Sequence, residues 1–412
     1  MQRLPVHVRP PPPPPPATLS SFDPDGPSVA FLEEHLRRLR ALPAHGNRVL
    51  HLHHLFVGLL LSFYNPAVRS LRLIEDNGDF DGRLDLDRLA RSTTADALAT
   101  FDPAHLKPVI EDLRRHVGQV RRVDDTLAGI TQRIIAADGT YLNTLADVAW
   151  ALHQTRRDGR RHGQVRANVQ MDVHRWTPEV ISISGDDGCS EPRAFAADLL
   201  RDVLYVVDRN FLDFTFLGQV RDRQSNVVLR VRGNAPSVTV LRELALTAAD
   251  AEAGVVSDQI VTLSGRGAPA GRWRLTVIHA TNRSGKLEVI RLLSSLTDHA
   301  TISARIIGEI YRLRWQIELF FKWLKTWAGL DHLLSTSRRG ITFQFYVAVI
   351  AVLLMYAQLG RRVSRYALVQ MQLLAHGQTT LARVMAVLAR RDRERQLARQ
   401  RAAARRAAKK LA

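Results

Sequence analysis

Three acids stand apart in a strongly basic chain. Asp138 closes the apolar run 133-RIIAAD-138, and Asp208 closes 203-VLYVVD-208. Glu318 sits alone among aromatics and cations in 311-YRLRWQIELFFKWLK-325. Hard divalent cations take oxygen ligands, so carboxylates from separate elements can share one ion if the fold gathers them. Apolar runs this short read as buried strands. If the two strands are parallel neighbours, both aspartates emerge at the same sheet edge. Neighbouring strands lie roughly 4.8 Å apart, close enough for two carboxylates to hold one ion. A strand ending in Asp-Gly or Asp-Arg also has a plainer reading, as turn chemistry.

The helix expected around Glu318 has two faces. At about 100° per residue, Tyr311, Arg314, Glu318 and Lys325 fall within an arc of roughly 60°. Ile306, Ile310, Leu313, Ile317, Phe320, Leu324 and Trp327 form a separate apolar stripe. The four polar residues span about 21 Å along such an axis. An acid flanked by cations a turn or more away suits a metal site bordered by phosphate contacts. An exposed face with an i,i+4 pair between Glu318 and Lys322 is the plainer alternative.

These elements must be held by a sizeable protein. The chain has 412 residues, 46% hydrophobic side chains and a formal net charge of +18. That length allows two or three domains with ample core, and the basic excess points to a polyanion, DNA or RNA. The one cysteine, Cys189, excludes an intrachain disulfide and a thiolate metal cluster. It suits a reducing compartment such as the cytosol. No charged segment followed by an apolar one opens the chain, so no signal peptide is expected. The longest apolar run, 346-YVAVIAVLLMYAQL-359, is shorter than a membrane span and reads as a core helix, with no membrane partner.

Along the chain the texture changes several times. The start, with 10-PPPPPPP-16, reads as extended and disordered. From about Pro27 to Val123 the pattern is helical, and 84-LDLDRLARSTTADALATF-101 could form a helix–turn–helix-like unit or part of a plain bundle. From Arg133 the order becomes strand, strand, strand, helix, strand, with 164-QVRANVQMDVH-174 and 179-EVISISG-185 as paired strands. A strand-rich stretch follows from Gly218 to Glu288, then the strand 289-VIRLLSSL-296. One long helix is expected from about Ala300 to Trp327, then the apolar helix and a basic tail.

The spacing of Tyr311, Arg314, Glu318 and Lys325 matches without a gap the Tyr–Arg–Glu–Lys signature of transposases of bacterial insertion sequences. The chain thus resembles insertion sequence family four, a branch of the DDE superfamily. The segment 138-DGT-140 resembles the region of that family's first aspartate. The segment 208-DRNF-211 resembles the second, with Asn210 where glycine is common and Phe211 where tyrosine is common. The resemblance covers about Leu84 to Leu359. It implies an α/β fold, a ribonuclease-H-like core interrupted by a β-rich insertion, with helical regions at both ends.

The implied divisions are a Pro-rich disordered segment over 1–26, a helical DNA-binding domain over 27–125 and a first core part over 126–217. A β-rich insertion over 218–288, a second core part over 289–360 and a helical region with a basic tail over 361–412 complete the chain. The resemblance also implies two Mg²⁺ or Mn²⁺ ions on Asp138, Asp208 and Glu318. One ion would activate water or a 3′-hydroxyl, and the other would stabilise the leaving oxygen. Tyr311, Arg314 and Lys325 would grip the backbone of the element's end, with Lys322 and Trp315 beside them. The implied partners are double-stranded DNA, both transposon ends and target, and a second copy in a homodimer or larger synaptic complex. The implied location is the cytoplasm, at the nucleoid.

Other features have plainer readings. Trp273, in 272-RWRLTV-277, could stack on a flipped base, but an aromatic on a strand is usually packing. The cluster 51-HLHH-54 lacks the further ligands that zinc needs and reads as helix-face histidines. The loop 156-RRDGRRHG-163 could contact a DNA backbone or be a solvated turn. The tail from Arg390 to Lys410 carries ten basic and two acidic residues and reads as a helix for nonspecific phosphate binding.

Overall fold

The structure, a computed structural model, describes residues 27–42, 50–65, 68, 70–76, 90–117, 127, 129–144, 148–155, 161–185, 190–233, 236–281, 285–327, 329–330 and 332–411. The Pro-rich start, Cys189 and residues 156–160 of the basic loop lie outside them. Two compact units emerge: one takes the described residues up to Phe101 together with those from Ser364 on, the other takes Asp102–Val363.

The first unit is helical. It contains α1 (Pro27–Arg40), α2 (Leu52–Tyr64), α3 (Leu71–Asp76) and α4 (Arg91–Thr100). Its α2 is apolar all round and almost wholly buried, as expected of a bundle's central helix. His53 and His54 are buried on it, 1% exposed each. Burial first, then the neighbouring histidines and Arg40, push their pKa values down to about 3 and about 4. They are neutral core side chains, as the helix-face reading expects.

The second unit opens with α5 (Lys107–His116). The sequence places α5 in the N-terminal helical domain, but its Arg114 pairs with Glu179 and donates to the Glu179 carbonyl, which ties it to the sheet. Strands β1 (Arg133–Thr144), β2 (Leu152–Thr155), β3 (Arg161–Asp172) and β4 (Thr177–Ser184) follow. Next come α6 (Glu191–Ala196), β5 (Val203–Val207), α7 (Phe214–Asp222) and β6 (Asn226–Val231). Then β7 (Val238–Glu243), α8 (Ala248–Glu252), β8 (Val255–Leu263), β9 (Trp273–Thr281) and β10 (Leu287–Ser294) complete one mixed sheet.

The sheet order is β2-β3-β1-β5-β6-β10-β9-β8-β7, with β4 also on β3. β1, β5 and β6 run parallel, and β3 runs antiparallel to β1. All five residues of β5 are buried, as a strand covered on both faces requires. Ile135, Ala137, Tyr205, Val207 and Leu229 face a cluster with Phe195 of α6 and Phe216, Leu217 and Val220 of α7. The strands expected in the insertion extend this same sheet. Trp273 is 0% exposed among those residues, so it is packing and not a stacking platform.

The sequence expects one helix from Ala300 to Trp327, and the structure corrects this. Helix α9 (Ala304–Arg312) ends, two residues tighten, and α10 (Trp315–Lys322) begins. Through the junction Arg314 N bonds the Tyr311 carbonyl at 3.1 Å and Ile317 N bonds the Arg314 carbonyl at 3.1 Å, the i,i+3 spacing of a 3₁₀ turn. A π-helical turn, Trp323–Trp327, then widens the coil. Buried Arg274, paired with Asp258, donates to the Ile302 carbonyl at 2.5 Å and so fixes the entry to α9.

Helix α11 (Arg338–Leu359) has 22 residues, long and apolar enough to cross a membrane, which corrects the expectation of too short a run. Of its most apolar window 83% is buried in the unit, the mark of a core helix. The chain returns to the first unit with α12 (Arg365–Ala375) and α13 (Leu381–Leu411), the expected helical tail.

Candidate active site

The register of β1 on β5 builds the site. Ala137 is paired with Val207, so Asp138 and Asp208 follow a matched pair on adjacent parallel strands. Both aspartates therefore stand at one sheet edge. One detail differs from expectation: β1 does not end at Asp138 but runs on to Thr144, because β3 pairs with it from Ile135 to Thr144. β5 does end, so the Gly139 amide has no strand beside it on that side. It donates instead to two carboxylates, Asp138 Oδ1 at 2.9 Å and Glu191 Oε1 at 2.7 Å.

Glu318 arrives from α10. The Arg314 guanidinium lies between it and the sheet, 3.3 Å from Asp138 Oδ2 and hydrogen-bonded to Glu318. Arg314 and Asp138 are 176 residues apart in sequence. The guanidinium also lies 5.9 Å from the centre of the Tyr311 ring, within cation–π range. Tyr311, Arg314, Glu318 and Asp138 thus form one constellation. Asp208 Oδ1 accepts from the Asn210 amide at 2.5 Å, so this aspartate also performs the turn role. Lys325 sits half-buried on the π-helical turn and forms no ion pair among the described residues. Lys322 and Trp315 are exposed, Trp315 at 50%.

The electrostatics follow from this crowding. Burial, and then the nearby Glu191, push the Asp138 pKa from 3.8 up to about 7, against the pull of Arg314 and the Gly139 amide. Burial likewise raises Glu191, opposed by the Gly139 amide and Arg166. Burial raises Tyr311, and burial lowers Lys325. A carboxyl whose folded pKa is raised binds more protons folded than unfolded between the two values. Its stabilising effect is complete below about 3.8 and is lost as pH rises through about 7. In EDTA, the wild-type thermal midpoint is therefore expected to fall from pH 5 to pH 7.5. Asp138→Asn should remove much of that slope, so its midpoint rises relative to wild type as pH increases. Parallel slopes for the two proteins would refute the burial of this charge.

Hard oxygen donors without a thiolate fit Mg²⁺ or Mn²⁺. Among the described residues no three acidic, histidine or cysteine side chains already stand at metal-ligand geometry. The Arg314 guanidinium is the cation between Asp138 and Glu318.

Two features escape a sequence reading. One is Glu191, which opens α6 and reads as an ordinary acid in a first turn. The other is a groove of about 360 Å³ lined by Arg209, Arg230, Arg232 and Arg291, where the end of β6 meets β10. Arg230 is near enough to pull on the Tyr311 hydroxyl, so the groove adjoins the constellation. Arg230 is paired with Glu288 at 2.6 Å, whereas Arg291 Nε is buried without a hydrogen-bond partner. Alternating arginines on 226-NVVLRVRG-233 were the available signal.

Acids gathered at one edge of parallel strands, in a basic chain with an arginine groove beside them, suit chemistry on a phosphodiester. The family is settled by comparison: the transposase DDE domain matches residues 129–354, and the chain belongs to the DDE transposases. A candidate transposase of Sinorhizobium fredii, y4zB, is 24% identical over 255 residues, 59% of this chain and 68% of that one. A candidate transposase for insertion sequence element IS4SA of Synechocystis is 41% identical over 54 residues, 13% of this chain and 16% of that one. Among solved structures, a piggyBac transposase synaptic complex with hairpin DNA matches at 11% identity and a TM-score of 0.39, over 90% of this chain and 76% of that one.

Proposed function

We propose that this transposase binds the terminal inverted repeats of its own insertion sequence, cleaves there and joins the ends to target DNA. We place it in insertion sequence family four, with a ribonuclease-H-like core built on β1, β3, β4, β5 and β6. The observation that carries the reading is the Arg314 guanidinium held between Asp138 and Glu318. It brings the Tyr–Arg–Glu–Lys segment onto the strand that bears the first aspartate.

Asp138, Asp208 and Glu318 would hold two Mg²⁺ or Mn²⁺ ions. When bound, the ions activate the attacking oxygen and stabilise the leaving one. Asp138 must give up any proton it holds before it can ligate. Arg314 offers a bidentate fork to a phosphate, Lys325 a point charge, and Tyr311 a hydroxyl. Lys322 and Trp315 extend the contact outward. A homodimer or larger synaptic complex at the nucleoid is the working form, since two ends must be handled together.

The test is cleavage and joining of labelled DNA carrying the element's own ends, with Mg²⁺ or with EDTA. Metal-dependent cutting and joining support the reading. Cutting without joining points to a nuclease, and specific binding with neither to a DNA-binding relative without chemistry.

The arginine groove extends the proposed DNA path. Arg232→Ala and Arg291→Ala are each expected to reduce the salt dependence of binding by about one unit in log–log slope. The loss should be uniform across DNA sequences, as for any backbone contact. Unchanged slopes would remove the groove from the path.

A further inference from the structure

Glu191 reaches the candidate active site from the side of the sheet opposite Glu318. Its helix, α6, packs Phe195 into the cluster that also holds Ile135 and Ala137. Strand side chains alternate between faces, so Asp138 points to the other face, where Arg314 and Glu318 lie. The two acids nonetheless meet, because both accept from the one Gly139 amide that β5 leaves unpaired. A side chain at 139 would displace the Glu191 carboxylate: a Cβ there would lie 2.6 Å from Glu191 Oε1 and 3.0 Å from Arg166 Cδ. Arg166 is itself held, with Nε 2.8 Å from Asn168 Oδ1. Glu191 is thus fixed against the backbone next to Asp138 and is not a free surface acid.

The charges around this edge do not balance. Asp138, Asp208, Glu318 and Glu191 contribute four negative charges when ionised, and Arg314 and Arg166 two positive ones. The negative excess favours divalent cations there. We propose that Glu191 is a fourth carboxylate of the divalent-cation site, a positioning residue that fixes the Gly139 amide beside the Asp138 carboxylate and adds its own charge to ion binding. The proposal rests on the assignment of Asp138 to that site. Glu191 would act through Asp138 and not as one of the three ligands. It also fixes the Asp138–Gly139 peptide through the Gly139 amide.

A purely structural Glu191 and a charged one respond differently to glutamine. Glu191→Gln keeps an oxygen to accept from the Gly139 amide and loses the charge; Glu191→Ala loses both. Mn²⁺ binding to the full chain is read by electron paramagnetic resonance without DNA, and the thermal midpoint is read in EDTA. Both variants are expected to bind Mn²⁺ about ten-fold more weakly, the lower end of effects seen for outer partners of metal ligands. Only Glu191→Ala should also lower the midpoint. Wild-type Mn²⁺ affinity in Glu191→Gln overturns the proposal, and if Asp138→Asn in parallel loses the ion, the assignment of Asp138 survives that failure. A wild-type chain that binds no Mn²⁺ overturns both.

Discussion

Replacing Glu318 with alanine is expected to abolish DNA cleavage and joining while leaving end binding in EDTA within a few-fold of wild type. The expected loss is at least about a thousand-fold, equivalent to about 4 kcal/mol of transition-state stabilisation. That is the scale on which a metal-held charge acts at a phosphoryl centre. The fold should survive. The Glu318 side chain is 32% exposed, and an ion pair in that setting contributes no more than about 1 kcal/mol. Binding should hold because a carboxylate makes no favourable contact with a phosphate, and its removal frees Arg314 to face one. Glu318→Gln, which keeps the shape, should be equally inactive. Cutting by Glu318→Ala at the wild-type rate, in Mg²⁺ and not in EDTA, would remove Glu318 from the metal assignment.

Sequence carries the parts of this site that follow local rules. Two short apolar runs, each closed by an aspartate, predict buried strands, and the register Ala137–Val207 joins them as expected. The spacing of Arg314 and Glu318 predicts a shared helical face, and their ion pair across the tightened turn preserves it. The 3₁₀ tightening at Leu313 and Arg314 was not legible, because α and 3₁₀ turns differ little in local energy and share the same residues. The π-helical turn that carries Lys325 was not legible either. The extension of β1 beyond Asp138-Gly139 was hidden for another reason. Asp-Gly favours turns locally, and ten paired positions on β3 override that preference. Glu191 was hidden because its role is purely non-local. The segment 190-SEPR-193 shows a helix start, and nothing in it announces a backbone amide 52 residues away.

Arg314→Ala is expected to lower the thermal midpoint by about 5 °C in EDTA, and saturating Mg²⁺ or Mn²⁺ should recover much of that loss. Arg314 is 15% exposed and Asp138 20%. Removing one partner of a buried pair leaves a charge without compensation, at a cost of about 3–5 kcal/mol when burial is complete. Partial exposure of Glu318 reduces this to about 2 kcal/mol, which in a unit of this size corresponds to the midpoint shift stated. The metal recovery is the informative part. If Arg314 occupies the place between Asp138 and Glu318 that a divalent ion takes, the ion supplies the missing charge and binds the variant at least as tightly as wild type. End binding should weaken even so, with a shallower salt slope, because the fork for a phosphate is gone. A midpoint loss of equal size with and without metal would show a plain structural ion pair, with the cation site elsewhere. The same variant thus separates the two duties of one guanidinium: to hold the acids before the ion arrives, and to turn to the DNA backbone once it has.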